Sequence, residues 1–181
     1  MTRHKLHDLL LRRLGEKRRF LQVLAGPRQT GKTTLARQVM EAIQKYAHGQ
    51  VRQRGSSAKL QVLNTALMTA QSGRSAAEAR QDGDYWGRLV ESCVGAHLLN
   101  TSMGSDIEVT YWRDRNLEAD FVLRRGKAAV GIEVKSGRRR ESLLGMEAFA
   151  QRFKPKRKLL VGGQGIPLEE FLLQPAGYWL R

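Results

Sequence analysis

The chain has 181 residues, 41% of them hydrophobic and 27% charged, enough for one core-forming domain with an appendage. Its formal net charge of +15 favours polyanionic partners, because each phosphate neutralised releases counterions. Cys93 is the only cysteine, which excludes an intrachain disulfide. No run of about 18 apolar residues offers a membrane span, and no apolar stretch near the N-terminus reads as a secretory signal. A cytoplasmic protein without a membrane partner is therefore expected.

In chain order, Leu6, Leu9, Leu10, Leu11 and Leu14 among basic residues predict a helix over 5–19. FLQVLA at 20–25 reads as a short buried strand. A glycine-rich loop follows at 26–33. TLARQVMEAIQKYAH at 34–48 then places Leu35, Val39 and Ile43 four apart, which predicts a helix. The polar, Gly/Ser-containing stretch at 48–58 reads as a junction. Charge divides there. Residues 1–58 hold 13 Lys+Arg against 3 Asp+Glu, whereas 59–181 hold 19 against 14.

Beyond the junction, KLQVLNTALMTA at 59–70 begins as a strand and runs into a short helix. Residues 71–83 are polar and read as loop. Residues 84–100 predict a mostly apolar helix with Asp84 as its N-cap. It carries Cys93 and His97, both expected in the core. Strands are predicted at 107–113, 118–124 and 128–134, the last two joined by a turn at Arg125-Gly126-Lys127. An amphipathic helix at 141–153 and a strand at 157–162 complete the pattern. Short connections make the first three strands an antiparallel meander, and the helix before the last allows a crossover and a mixed sheet.

Gly26-Pro27-Arg28-Gln29-Thr30-Gly31-Lys32-Thr33 fits G-x-x-x-x-G-K-[ST], with a strand before it and a helix after. In such a loop Gly26 and Gly31 let backbone N–H groups wrap a phosphate. Lys32 reaches the β/γ oxygens, and Thr33 with Thr34 opens the helix, Thr33 as a Mg2+ ligand. A working ATPase also needs an acid at the end of a second strand. No apolar run ending in Asp lies between 46 and 84. ATP is therefore expected to bind weakly at most, and hydrolysis by this chain alone is not expected.

The second constellation is Glu91, Asp120, Glu133 and Lys135. Strand alternation puts Glu133 and Lys135 on one face. A hairpin turning at 125–127 brings Asp120 opposite about position 132, close to Glu133. Two carboxylates that close repel unless a cation lies between them, and Mg2+ or Mn2+ suits hard oxygen ligands. Such an ion activates a water, and a lysine at the rim orients it or touches the phosphate. Glu91, on an apolar helix, needs a partner, either the metal or Arg88. Arg138-Arg139-Arg140 and the cluster Lys154, Lys156, Arg157 and Lys158 read as phosphate contacts or as solvated charge. Tyr111 and Trp112 read as core rather than as platforms on which bases stack.

The spans GRLVESCVGAHLLN, WRDRNLEAD and EVKSG resemble the PD-(D/E)xK superfamily, the restriction-endonuclease-like fold. KLQVLNTALM, YWRDRNLEADFVL and IEVKSGRRRESLLGMEAF, with the loop at 26–33, resemble prokaryotic AAA-type ATPases that carry such a module at their C-terminus. The resemblance implies Glu91, Asp120 and Glu133 as metal-side acids and Lys135 as catalytic lysine. Ala119 stands where many nucleases have proline. The resemblance also implies an internally deleted form, lacking most of the ATPase domain.

The expected architecture is α/β: a restriction-endonuclease-like mixed sheet with flanking helices over 59–181, a partial P-loop β–α unit over 1–50, and a junction at 51–58. The expected function is a DNA-binding, Mg2+- or Mn2+-dependent phosphodiesterase attached to a remnant ATP-binding segment. The rival is an ATP-binding fragment whose C-terminal module is a non-catalytic interaction or nucleic-acid-binding domain.

Overall fold

A computed structural model describes residues 40–47, 50–52, 59–137 and 143–181. The expected glycine loop, with Gly26, Gly31, Lys32, Thr33 and Thr34, lies outside the described residues, as do the helix over 5–19, the strand at 20–25 and Arg138–Arg140. The fold is α/β, a mixed sheet with flanking helices. Its strands are β1 (Met40–Ala47), β2 (Gln50–Arg52), β3 (Lys59–Val62), β4 (Glu108–Asp114), β5 (Leu117–Arg125), β6 (Ala128–Lys135) and β7 (Arg157–Gly162). Its helices are α1 (Ala66–Ser72), α2 (Ala76–Gln81), α3 (Gly83–Ser102), α4 (Leu144–Phe153) and α5 (Leu168–Leu173), followed by a 3-10 turn at Ala176–Tyr178.

The strand order is β2-β1-β4-β5-β6-β7, with β3 also paired to β1. β4, β5 and β6 form the antiparallel meander that short connections require. The β5–β6 hairpin closes from Arg125 to Ala128 through Gly126, whose φ of 59° needs no Cβ. β7 returns parallel to β6 after the α4 crossover.

Several features differ from the sequence expectation, among them β2, which lies in the stretch expected as a junction. Residues 40–47, expected inside a helix over 34–48, form a strand. β1 pairs antiparallel with β2 and β3 and parallel with β4 at Gln44↔Thr110 and Lys45↔Tyr111. Helix propensity is worth a few tenths of a kcal/mol per residue, and such tertiary pairing overrides it. β1 also covers what would be the open edge of β4. Residues 71–83, expected as loop, contain α2. Its start is a capping box in which Ser75 Oγ accepts from Glu78 N–H at 3.3 Å and Glu78 accepts from Ser75 N–H at 2.7 Å. The N-cap of α3 is Asp82, not Asp84: its carboxylate accepts from Tyr85 N–H at 3.0 Å.

The sheet is covered on both faces. Val90, Val94 and Leu98 of α3 pack on Tyr111, Phe121, Leu123, Val130, Ile132 and Val134. The C-terminal segment closes the same core with Phe171 stacked on Trp179, ring centroids 4.9 Å apart. α4 covers the other face with Met146 and Phe149 against Trp112, Ala119 and Val122. Each fully buried phenylalanine contributes about 2–3 kcal/mol through apolar area removed from water. Tyr111 and Trp112 are buried in these cores. His97 is half-buried, with Nε2 2.7 Å from Gln174 O, and Cys93 is likewise only half-buried.

Candidate functional site

Two glycines let α3 lie close to the sheet. A Cβ on Gly95 would come within 2.7 Å of the Phe121 ring and 2.3 Å of Gln61 Oε1, and one on Gly87 within 3.3 Å of Ser136 Oγ. Glu91 lies one turn from each, on the same helix face. The close approach therefore aims its carboxylate at the strand ends.

β5 carries an irregularity that sets the acids. Thr110 pairs with Val122, but Trp112 pairs with Ala119, so β5 has one residue more than β4 across this span. The extra residue is a bulge at Asp120–Phe121, and bulges re-aim side chains. Before it, Glu118 and Asp120 share a face. After it, Phe121 and Leu123 point into the α3 core.

The β5–β6 ladder runs from Arg125↔Ala128 to Phe121↔Ile132. In the same register Asp120 stands across from Glu133, one position from the expected 132. Beyond the last pair, Val134 N–H donates to Asp120 Oδ2 at 2.8 Å. The side chain thus supplies an acceptor past the end of the ladder. Ile132 and Val134 are core residues, which leaves Glu133 and Lys135 on the opposite face, as alternation requires. Lys135 Nζ lies 3.1 Å from Glu133 Oε1. Glu133 is 9% exposed, and its Oε2 is buried without a hydrogen-bond partner.

Two further residues, Lys59 and Glu118, belong to the cluster. Lys59 Nζ lies 2.5 Å from Glu91 Oε1, 3.3 Å from Glu118 Oε1 and 3.9 Å from Asp120 Oδ1. It is also 3.4 Å from the Asp120 carbonyl and 5.0 Å from the Phe121 ring centroid. Glu91 therefore has Lys59 as its partner, neither of the two anticipated. Glu118 was legible, since it precedes Asp120 by two on a strand. Lys59 was not, because nothing local links it to acids 59 and 61 positions away.

The electrostatics follow from burial. Desolvation, then the charges of Glu133 and Glu91, push Asp120 up to about 7; Lys59 and the Val134 N–H oppose this. Burial also raises Glu133, against the pull of Lys135, with Glu118 and Glu91 adding repulsion. Burial alone would lower Lys59, but Glu91, Asp120 and Glu118 together hold it above its usual value.

Hard carboxylates with an orphaned buried oxygen suit a divalent cation in donor chemistry. In the arrangement seen, the Lys59 ammonium stands among Glu91, Glu118 and Asp120. Among the described residues no group of three or more His, Cys, Asp or Glu side chains is disposed to hold a metal.

The basic residues Lys154, Lys156, Arg157 and Lys158 are exposed. Arg157 pairs with Val130, five positions from Lys135 along β6, about 16 Å at strand rise. That cluster lies at the far end of the sheet from the acids. Among the described residues no helix is long and apolar enough to cross a membrane.

The fold and site thus define an α/β chain with an acid–lysine constellation at the end of a bulged hairpin. A family model described as a domain of unknown function, DUF4143, matches residues 86–170. The match takes in Glu91, Glu118, Asp120, Glu133 and Lys135, and leaves Lys59 outside. No curated protein and no solved structure matches the chain.

Proposed function

We propose that the chain is a nuclease-like module of the PD-(D/E)xK type that binds DNA and hydrolyses phosphodiesters, attached to a remnant nucleotide-binding segment of an AAA-type ATPase. The observation that carries this reading is that Asp120, Glu133 and Glu91 lie near enough for their charges to repel one another, with Lys135 on Glu133. The formal charge of +15 supports a polyanionic substrate. Glu91, Asp120 and Glu133 would hold Mg2+ or Mn2+, which supplies an activated water when bound. Lys135 orients that water or meets the phosphate, and its bond to Glu133 fixes its reach. Asp120 is positioned by the Val134 N–H, so its second oxygen stays directed at the cluster.

Supercoiled plasmid incubated with Mg2+ or Mn2+ tests the reading. Nicking by the wild type that stops in Lys135→Ala and in Asp120→Ala is the expected result. DNA binding without nicking would instead support a non-catalytic nucleic-acid-binding module. The place of Lys59 among the acids favours that second reading. In the N-terminal segment, a thermal shift with ATP that vanishes in Lys32→Ala would support weak nucleotide binding.

A further inference from the structure

We propose that Lys59 is the resident counter-ion of the acid cluster, and that its ammonium and a divalent cation exclude one another there. This rests on the reading that the site takes a divalent cation.

Lys59 is presented to the site by its strand. β3 is paired to β1 from Lys59 to Val62. Gln61, on the same face as Lys59, donates to Ser92 O at 2.8 Å and to Val62 O at 3.0 Å, and is buried. That bond fastens β3 to α3 one residue from Glu91. The ammonium then falls within ion-pair reach of three carboxylates on two further elements. Lys59 is only 20% exposed, so water screens it poorly.

Position makes the two cations rivals. A divalent ion binds carboxylate oxygens at about 2.1 Å. An ion held by Glu91 and Asp120 would sit next to Nζ, which already lies 2.5 Å from one of those carboxylates and 3.9 Å from the other. Like charges so close in a poorly solvated pocket repel strongly. The ammonium must withdraw before the ion can use Glu91. Among the described residues Lys59 makes no ion pair with Glu133, whose Oε2 is buried without a hydrogen-bond partner.

The test measures Mn2+ binding calorimetrically on the full chain, as wild type, Lys59→Met and Lys59→Gln, each checked for fold by circular dichroism. Removing one opposing charge at this distance should tighten Mn2+ binding by about tenfold or more in both variants. Mn2+ should also raise the melting temperature of the variants more than that of the wild type. Equal or weaker binding in the variants, with the wild type binding measurably, overturns the exclusion and leaves the metal-dependent reading standing. If no form binds Mn2+, both that reading and the exclusion fall. If Lys59→Met does not fold, Lys59→Gln, which keeps a polar but uncharged side chain there, decides.

Discussion

The carboxylate of Asp120 accepts a hydrogen bond from the backbone N–H of Val134, the residue between Glu133 and Lys135. One side chain on β5 thereby holds the E-x-K segment of β6 in place at the point where the ladder between the two strands ends.

Asp120 makes stability fall as pH rises. Its carboxyl moves from an ordinary 3.8 to about 7 in the fold, where burial and the charges of Glu133 and Glu91 oppose ionisation. Between these values the folded chain binds more protons than the unfolded one, so the slope of unfolding free energy with pH is negative. Lys59 is the cation that opposes this shift, together with the Val134 N–H. We expect Asp120→Asn to be more stable than wild type at about pH 8, by on the order of 2 kcal/mol, and to lose that advantage below about pH 4. Denaturant melts across this range would contradict the assignment if the two curves stay parallel.

Lys135→Ala should abolish plasmid nicking while leaving the fold in place. A rim lysine acting on water or phosphate contributes roughly 100-fold or more. The substitution also leaves Glu133 without its ion-pair partner, and its carboxyl then moves further upward, since Lys135 is what lowers it. A variant that unfolds, or that nicks at the wild-type rate, speaks against the role.

Gly95→Ala sets two effects against each other. Alanine gains about 1 kcal/mol in a helix interior relative to glycine. The new methyl would approach Phe121, which is fully buried, and Gln61, which is fastened to Ser92. Overpacking of this kind costs about 1–3 kcal/mol. Neither neighbour can give easily, so a net loss is expected, with α3 lifted and Glu91 drawn back from the acids. A gain in melting temperature would show that the close approach is not needed.

Gly145→Ala should be worse. The added Cβ would meet the carbonyl oxygen and nitrogen of Glu118, which are backbone atoms of β5 and cannot swing aside. A loss of about 3 kcal/mol is expected, and chemical denaturation measures it directly. Plasmid nicking should fall as well, because Glu118 and Asp120 sit on the displaced strand.

Much of the sheet was legible in the chain. Alternating residues and the Arg125-Gly126-Lys127 turn place β4, β5 and β6, and turn geometry sets Asp120 beside Glu133. The capping box of Ser75 and Glu78 is equally present in the chain, but it opens a helix of only six residues in a stretch whose polar composition favours a loop. The bulge at Asp120–Phe121 left no mark in the residue pattern. It arises from the count of residues between two pairings, which exists only once β4 and β5 are joined.

The alternation, the turns and the acids at the strand ends are set within the chain's local order, because each depends on residues a few positions apart. Tertiary structure alone decided that residues 40–47 are a strand and that Lys59 stands among Glu91, Glu118 and Asp120. Backbone pairing across distant segments outweighs a helix preference of a few tenths of a kcal/mol per residue, and an ion pair spanning some sixty positions has no local signal to read.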